Sequence, residues 1–175
     1  MPHDATAALV AAFVRHGLTV ATGESLTGGM LAAELVRVPG VSAAFLGGIV
    51  AYSTHLKHTL LAVDPARLAE AGPVDAIVAE QMAEGARRAC AVGGRPADLG
   101  LSTTGVAGPD PDPQTGLPAG AVYIGVATAH GARCVLLMLD GARSEIRSAT
   151  VTAAIREALV ELQTLTPPTR NEDPR

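Results

Sequence analysis

A serine stands at a sharp change of pattern in the segment VATGESLTGGML, residues 20–31. A short run typical of a strand precedes Ser25, and Thr27 with Gly28 and Gly29 opens a run typical of a helix. Unpaired N–H groups at a helix start favour negative charge, so they can stabilise the oxyanion of acyl transfer or bind a phosphate. Ser25 or Thr27 can equally cap the helix. The spacing G-x-S-x-x-G is not that of hydrolase elbows, so the segment alone leaves nucleophile, anion site and cap open.

A serine nucleophile needs a base, and the sequence offers one unusual candidate. The histidines fall in the termini, in turns or in helix predicted to be exposed, and none is followed by an obvious orienting acid. Of the 13 basic residues, 12 are arginine and one is Lys57. A buried lysine can lose its proton and act as a base, whereas arginine keeps its charge. Lys57 is therefore the candidate base, and the alternative is a solvated helix residue.

Tyr52 ends a predicted strand and Lys57 follows it, just as Ser25 follows another predicted strand. Parallel strands of α/β sheets usually bring their carboxyl ends to one edge, so we expect these three residues to lie close together. The alternative for Tyr52 is an aromatic residue at a strand end with its hydroxyl group in water.

The remaining pattern predicts the elements that must position these residues. Helices are predicted at residues 4–16, 27–38, 54–61, 76–92 and 144–162, and strands at 18–22, 45–52, 97–104, 121–129 and 132–140. Strand–helix alternation followed by a late hairpin predicts an α/β fold with a mixed, mostly parallel sheet covered by helices on both faces. We expect one domain over residues 1–164 and a disordered tail over 165–175.

Composition excludes several classes of function. Aromatic residues make up 2% and the formal charge is −4 without a dense basic run, so a nucleic-acid partner is not expected. Two distant cysteines fit a reducing cytoplasm. Pro39 and several glycines interrupt the uncharged stretch 38–56, so no membrane span is predicted. No cofactor or metal is expected, because no cluster has ligand spacing. We expect a cytoplasmic protein that forms a homo-oligomer.

Five separated motifs carry a resemblance that covers residues 5 to 163. They are GESLTGG (23–29), GGIVAYSTHLK (47–57), GPVDAIVAEQMAEGA (72–86), TGVAGPDPDPQTGLPAG (104–120) and GARSEIRSAT (141–150). Their order and spacing resemble the CinA C-terminal domain family, whose members are nicotinamide-nucleotide amidohydrolases. The resemblance implies a three-layer α/β/α sandwich and a small nucleotide as substrate. The implied reaction converts nicotinamide mononucleotide and water to nicotinate mononucleotide and ammonia, and this chain looks like the stand-alone form of the domain.

The resemblance also implies roles for individual residues. The catalytic serine, tyrosine and lysine of the family fall on Ser25, Tyr52 and Lys57, with the tyrosine orienting the lysine or relaying a proton. Glu24 is expected to anchor the turn or the lysine, and backbone N–H groups near Leu26 to Gly28 are expected to hold the oxyanion. The residues expected to bind substrate are Glu24, Thr27, Gly28, Gly29, Thr104, Gly105, Ala107, Gly108, Arg143 and Arg147. Either arginine is a candidate partner for the 5′-phosphate, and the alternative is a solvated or structural arginine.

This chain departs from the family pattern at three positions, of which Leu26 should have little effect and the other two bear on substrate recognition. Leu26 stands where the family usually has cysteine, Thr54 replaces the usual asparagine, and Leu117 replaces a cation in a longer loop. Two alternatives therefore stay open: a nucleotide-binding module without catalysis, and an amidase for another small amide.

Overall fold

A five-stranded sheet forms the middle of the protein, which is described by a computed structural model over residues 4–165. The strands of the described chain are β1 Val20–Glu24, β2 Phe45–Val50, β3 Leu99–Gly105, β4 Ala121–Thr128 and β5 Gly131–Met138. Its helices are α1 Ala5–His16, α2 Met30–Val36, α3 Thr54–Leu61, α4 Pro65–Ala71, α5 Ala76–Ala89 and α6 Arg143–Leu165, with a 3₁₀ turn at Val41–Ala43.

The strand order is β2-β1-β3-β4-β5. β1 pairs in parallel with both β2 and β3, whereas β4 is antiparallel to β3 and β5. Only β4 therefore runs against the other strands, and the predicted mixed sheet is confirmed. In the register of the parallel strands, Glu24 lies opposite Val50 and Thr103. The carboxyl ends of β1, β2 and β3 thus meet at one edge, and Ser25 is the first residue beyond it.

Helices cover both faces of the sheet, as the three-layer prediction requires. One core joins the sheet to α1, α2 and α6 and includes Phe13, Leu31 and Ile155. The other core lies under α3, α4 and α5 and includes Leu61 and Met82. Every residue of β1 is buried, because this strand has neighbours on both sides and helices on both faces. Ser25 therefore follows a strand that is fixed from all directions, whereas Tyr52 and Lys57 follow the edge strand β2.

Several predicted element bounds agree closely with the structure, and one differs in a way that matters. Helices α1 and α3 lie where the pattern predicts them, whereas β1 begins at Val20. Helix α2 begins at Met30 rather than at residue 27, because residues 25–29 form a turn in which Gly28 and Gly29 adopt φ values of 59° and 96°. The prediction of a disordered tail falls on residues 166–175, which lie outside the described residues, apart from Leu165 at the end of α6.

Within residues 4–165, none of the helices combines the length and the apolar character that crossing a bilayer requires.

Helix α5 lies unusually close to the sheet, and this contact gives a test of the fold. A Cβ atom added at Gly125 in β4 would overlap the backbone carbonyl of Ala79, a neighbour that cannot move aside. We expect Gly125→Ala to lower the free energy of unfolding by about 3 kcal/mol or more. Gly47→Ala is the matched control in β2, since its Cβ would meet Cys90 Sγ at an ordinary 3.4 Å. Urea unfolding followed by circular dichroism measures the free energy of unfolding of both variants. Equal values for the two would contradict the close packing of α5 on the sheet.

Candidate active site

Lys57 is the only lysine of the chain, and its side chain is buried with 1% of its surface exposed. Its helix, α3, starts directly after β2 and directs the side chain under the end of the sheet. Lys57 Nζ lies 2.9 Å from Ser25 Oγ and donates to the carbonyl oxygen of Ala51 at 2.8 Å. It also lies 3.5 Å from the carbonyl oxygen of Tyr52. The structure therefore brings the predicted nucleophile and the predicted base into direct contact.

The electrostatic surroundings of Lys57 suit a base. No carboxylate of the described residues forms an ion pair with it. Burial therefore acts without compensation, and it lowers the pKa of Lys57 from 10.5 to about 8. Near neutral pH a usable fraction of the amine is unprotonated and can accept a proton from the Ser25 hydroxyl group.

Ser25 is half-buried and is held by its backbone. Its N–H donates to the carbonyl oxygen of Thr103 at the end of β3, at 2.8 Å, and its own carbonyl oxygen accepts from the N–H of Gly28 at 3.1 Å. The first bond continues the pairing of β1 with β3, and the second closes the tight turn that follows. These two bonds fix the position of the hydroxyl group relative to Lys57.

Glu24 lies directly before the nucleophile, and its carboxylate is fully buried. One oxygen accepts from the N–H groups of Gly29 and Leu31 at 2.9 and 3.0 Å, and the other accepts from the N–H of Ala32 at 2.8 Å. The Thr27 hydroxyl group donates to the same carboxylate at 2.7 Å. Glu24 thus anchors the turn, as one of its two predicted roles requires, and it does not contact Lys57.

The oxyanion donors were predicted among the backbone N–H groups from Leu26 to Gly28. Within the described chain, the N–H groups of Leu26 and Thr27 have no acceptor, whereas that of Gly28 donates to the carbonyl oxygen of Ser25. Two N–H groups at the start of α2 are bound by Glu24. Leu26 and Thr27 are both buried, and an unpaired buried N–H group is rare in proteins.

Arg147 reaches this turn from α6. Its Nε donates to the carbonyl oxygen of Leu26 at 2.9 Å, and a terminal nitrogen donates to that of Thr27 at 2.8 Å. It forms no ion pair with any carboxylate between residues 4 and 165. Arg147 therefore contacts the catalytic turn through two carbonyl groups, and the phosphate contact predicted for it stays a prediction.

Tyr52 and Arg143 form a second, more open part of the site. The Tyr52 side chain is 58% exposed, and its hydroxyl oxygen accepts from Arg143 at 2.9 Å. Arg143 also donates to the carbonyl oxygen of Gly108 at 2.9 Å. The backbone of Tyr52, rather than its hydroxyl group, thus faces Lys57, while the phenol ring and Arg143 lie at the surface.

A cavity of about 200 Å³ opens beside this pair. Leu26, Tyr52 and Arg143 border it, together with much of the glycine- and proline-rich loop 105–120. The loop residues at the cavity are Gly105, Val106, Ala107, Gly108, Asp110, Pro111, Asp112 and Pro113. The predicted Gly105, Ala107 and Gly108 are therefore present at the cavity. Thr104 is not, because its buried hydroxyl group donates to the carbonyl oxygen of Pro73 at 2.6 Å on the α5 side of the sheet.

The loop is held against the body of the protein. Gln114 donates to the carbonyl oxygen of Ala69 in α4 at 3.1 Å, and the Asp112 carboxylate accepts from the N–H groups of Gln114 and Thr115 at 3.1 and 2.8 Å. The extra length of the loop, noted above as a departure from the family pattern, therefore builds a wall of the cavity.

Sequence reasoning missed one buried contributor. The Thr103 and Thr27 hydroxyl oxygens lie 2.7 Å apart, and because Thr27 gives its single proton to Glu24, Thr103 donates to Thr27. The direct pairing of β1 with β3 places these residues together across 76 positions, and no local pattern indicates it. Among the described residues, no group of three or more His, Cys, Asp or Glu side chains is arranged to hold a metal ion.

A family model of the CinA C-terminal domain matches residues 3–162 of the chain. The chain belongs to this family. A CinA-like protein from Frankia casuarinae is 44% identical over 142 residues, which make up 81% of this chain and 31% of that protein. The chain spans about a third of the length of the curated relatives it matches.

Solved CinA structures share the fold. A CinA superfamily protein from Klebsiella pneumoniae superposes with a TM-score of 0.86 at 25% identity and covers 93% of this chain and 98% of its own. A competence/damage inducible protein from Agrobacterium tumefaciens superposes with a TM-score of 0.81 at 32% identity and covers 91% of this chain and 94% of its own. The predicted family and the predicted fold class are confirmed. None of these names states a reaction or a substrate.

The burial of Lys57 predicts how stability depends on pH. Its pKa is lower in the folded protein than in the unfolded chain, so the unfolded chain binds more protons between about pH 8 and pH 10.5. Stability therefore rises with pH across this window. Below the window Lys57 is protonated in both states, and burying its ammonium group lowers the free energy of unfolding by the full amount. Relative to Lys57→Met, we expect the wild-type protein to gain about 2 kcal/mol between about pH 7 and pH 9.5.

Urea unfolding of both proteins at the two pH values measures this gain, because titrations common to both cancel in the difference. An identical pH dependence in the two proteins would show that Lys57 keeps its ordinary pKa in the fold.

Proposed function

We propose that this CinA domain hydrolyses the carboxamide of nicotinamide mononucleotide to nicotinate mononucleotide and ammonia. The observation that carries the proposal is the buried Lys57 amine, 2.9 Å from Ser25 Oγ and without a carboxylate partner among the described residues. A binding module needs no such pair, because burying an unpaired lysine costs free energy and contributes nothing to holding a nucleotide. The substrate class comes from the family resemblance.

In the first half of the reaction, Ser25 Oγ attacks the carboxamide carbon while its proton moves to the neutral Lys57 amine. The carbonyl oxygen takes up the negative charge of the tetrahedral intermediate. When the intermediate collapses, the C–N bond breaks and Lys57 returns the proton to the departing nitrogen, which leaves as ammonia. The product is an ester between Ser25 and the nicotinoyl group.

In the second half, water attacks this ester. Lys57, again neutral, accepts a proton from the water molecule and returns it to Ser25 Oγ as the C–O bond to the enzyme breaks. One lysine therefore serves both halves as base and then acid, which requires a pKa near the working pH. The lowering of its pKa to about 8 by burial meets this requirement.

The unpaired N–H groups of Leu26 and Thr27 are the proposed oxyanion donors. They belong to the two residues directly after the nucleophile and have no acceptor among the described residues. Backbone donors fixed in advance stabilise the charge that develops in the transition state without having to reorganise.

Arg143 is the proposed partner of the 5′-phosphate. It is exposed, it borders the cavity, and no carboxylate of residues 4–165 neutralises its charge. Its bond to Tyr52 aligns the guanidinium group beside the phenol ring. The backbone of Gly105 and Gly108 can approach the nucleotide closely, since neither residue has a side chain.

Ammonia release from nicotinamide mononucleotide tests the proposal. We expect the wild-type protein to turn over and both Ser25→Ala and Lys57→Met to lose activity by a factor on the order of 10³ or more, because each removes half of the reacting pair. Ser42→Ala is the matched control: this serine is exposed in the turn Val41–Ala43, forms no side-chain hydrogen bond to a described residue, and should keep full activity.

Turnover that survives Ser25→Ala would contradict the mechanism. Wild-type protein that binds the nucleotide without turnover would instead be a binding module, and turnover of a different small amide alone would move the protein to another amidase class.

A further inference from the structure

We propose that Arg147 is a positioning residue: by holding two carbonyl groups of the catalytic turn, it orients the adjacent N–H groups as an oxyanion hole. This inference rests on the proposed function, which it deepens by giving Arg147 a place in acyl transfer rather than in binding the phosphate.

The first argument is the geometry of the peptide unit. In a trans peptide the C=O and N–H bonds point in opposite directions. Arg147 Nε binds the carbonyl oxygen of Leu26, so the N–H of Thr27, which belongs to the same peptide unit, must point away from Arg147. The second contact is to the carbonyl oxygen of Thr27, whose peptide unit carries the N–H of Gly28. That N–H donates to the carbonyl oxygen of Ser25, which shares its peptide unit with the N–H of Leu26. Arg147 thus orients the Thr27 N–H directly and the Leu26 N–H through Gly28.

The second argument is that other N–H and carbonyl groups of the turn and the helix start are already hydrogen-bonded. Glu24 binds the N–H groups of Gly29, Leu31 and Ala32, and Arg147 binds the carbonyl groups of Leu26 and Thr27. The carboxylate of Glu24 thus binds N–H groups, and the guanidinium group of Arg147 binds carbonyl groups. The two side chains come from different elements, β1 and α6.

The N–H of Gly28 is also occupied, by the carbonyl oxygen of Ser25. In this turn, the N–H groups of Leu26 and Thr27, next to the nucleophile, are left without an acceptor among the described residues. Two buried orphan donors indicate a group that arrives from outside, and an oxyanion fits both their charge and their place.

The third argument is charge. A guanidinium group hydrogen-bonded to a carbonyl oxygen polarises that peptide and makes its N–H a stronger donor. No carboxylate of the described chain pairs with Arg147 to cancel this effect. The fork of Arg147 spans two carbonyl groups, which the single amine of lysine does not reproduce.

The test compares Arg147→Met with Arg143→Met on two substrates, nicotinamide mononucleotide and the corresponding nucleoside, which lacks the 5′-phosphate. If Arg147 positions the oxyanion hole, its loss lowers kcat about 10²-fold on both substrates and leaves KM within about threefold, because the lost interaction exists only in the transition state. Arg143→Met should instead raise KM for the nucleotide alone.

Arg147→Lys should regain only part of the kcat that Arg147→Met loses. Millimolar guanidinium added to Arg147→Ala should raise the kcat of that variant. Rescue of this kind distinguishes a positioning role from a general loss of structure. A rise in KM for the nucleotide with loss of discrimination between the two substrates would overturn the inference and make Arg147 a phosphate ligand. Unchanged kcat in Arg147→Met would overturn it too.

If the wild-type protein releases ammonia from neither substrate, the proposed function fails, and labelling of Ser25 by a fluorophosphonate decides the inference separately. In that reaction Ser25 Oγ bonds to phosphorus, fluoride leaves and the hydroxyl proton passes to Lys57, while the phosphoryl oxygen occupies the oxyanion hole. Intact-mass analysis should show labelling at least about tenfold slower in Arg147→Met than in the wild-type protein. Equal rates, or no labelling of the wild-type protein, would overturn the inference.

Discussion

The burial of one amine next to a hydroxyl group is the constraint on which the rest of this structure depends. Lys57 has lost nearly all contact with water, yet no described carboxylate compensates its charge. Such a group destabilises a fold in its charged form, so the surrounding elements must hold it in place. The carbonyl oxygen of Ala51 and the hydroxyl group of Ser25 provide this hold, because three parallel strands end at the same edge.

A second constraint concerns the turn that follows Ser25. Its peptide groups are fixed by two side chains of opposite charge, Glu24 from the end of β1 and Arg147 from the last helix. α6 packs against the core that α1 and α2 share, so the position of the guanidinium group depends on the hydrophobic contacts of that face. Packing far from the nucleophile thereby controls the direction of backbone donors beside it. The packing of α6 on the sheet thus contributes to the proposed chemistry.

Much of this arrangement could be predicted from the sequence. Alternating hydrophobic periods with glycine and proline boundaries predicted the order of strands and helices, and the single lysine among 12 arginines indicated the base. The start of α2 was predicted three residues too early, because residues 25–29 form a turn with left-handed backbone at Gly28 and Gly29. Glu24, at the end of β1, then binds the first donors of the helix. No composition or spacing rule indicates that a preceding glutamate fulfils this role.

The contacts between distant segments could not be predicted in the same way. Arg147 lies more than a hundred residues from the carbonyl groups that it binds, and Thr103 reaches Thr27 only because β1 and β3 are neighbours. A sequence pattern shows that two arginines share a helix face, but it does not show which of them meets the turn and which meets the cavity. Those assignments depend on how α6 docks on the sheet.

The lone lysine allows one direct measurement of the central claim. Protein labelled with ¹³C and ¹⁵N in lysine carries a single labelled side chain, so its Cε and Nζ resonances report on Lys57 alone. Following these shifts with pH by NMR should give a pKa of about 8, and Ser25→Ala should change the shifts of the same resonances. A titration at the ordinary value of 10.5 would show a charged, solvated lysine at working pH and would contradict the account of this site.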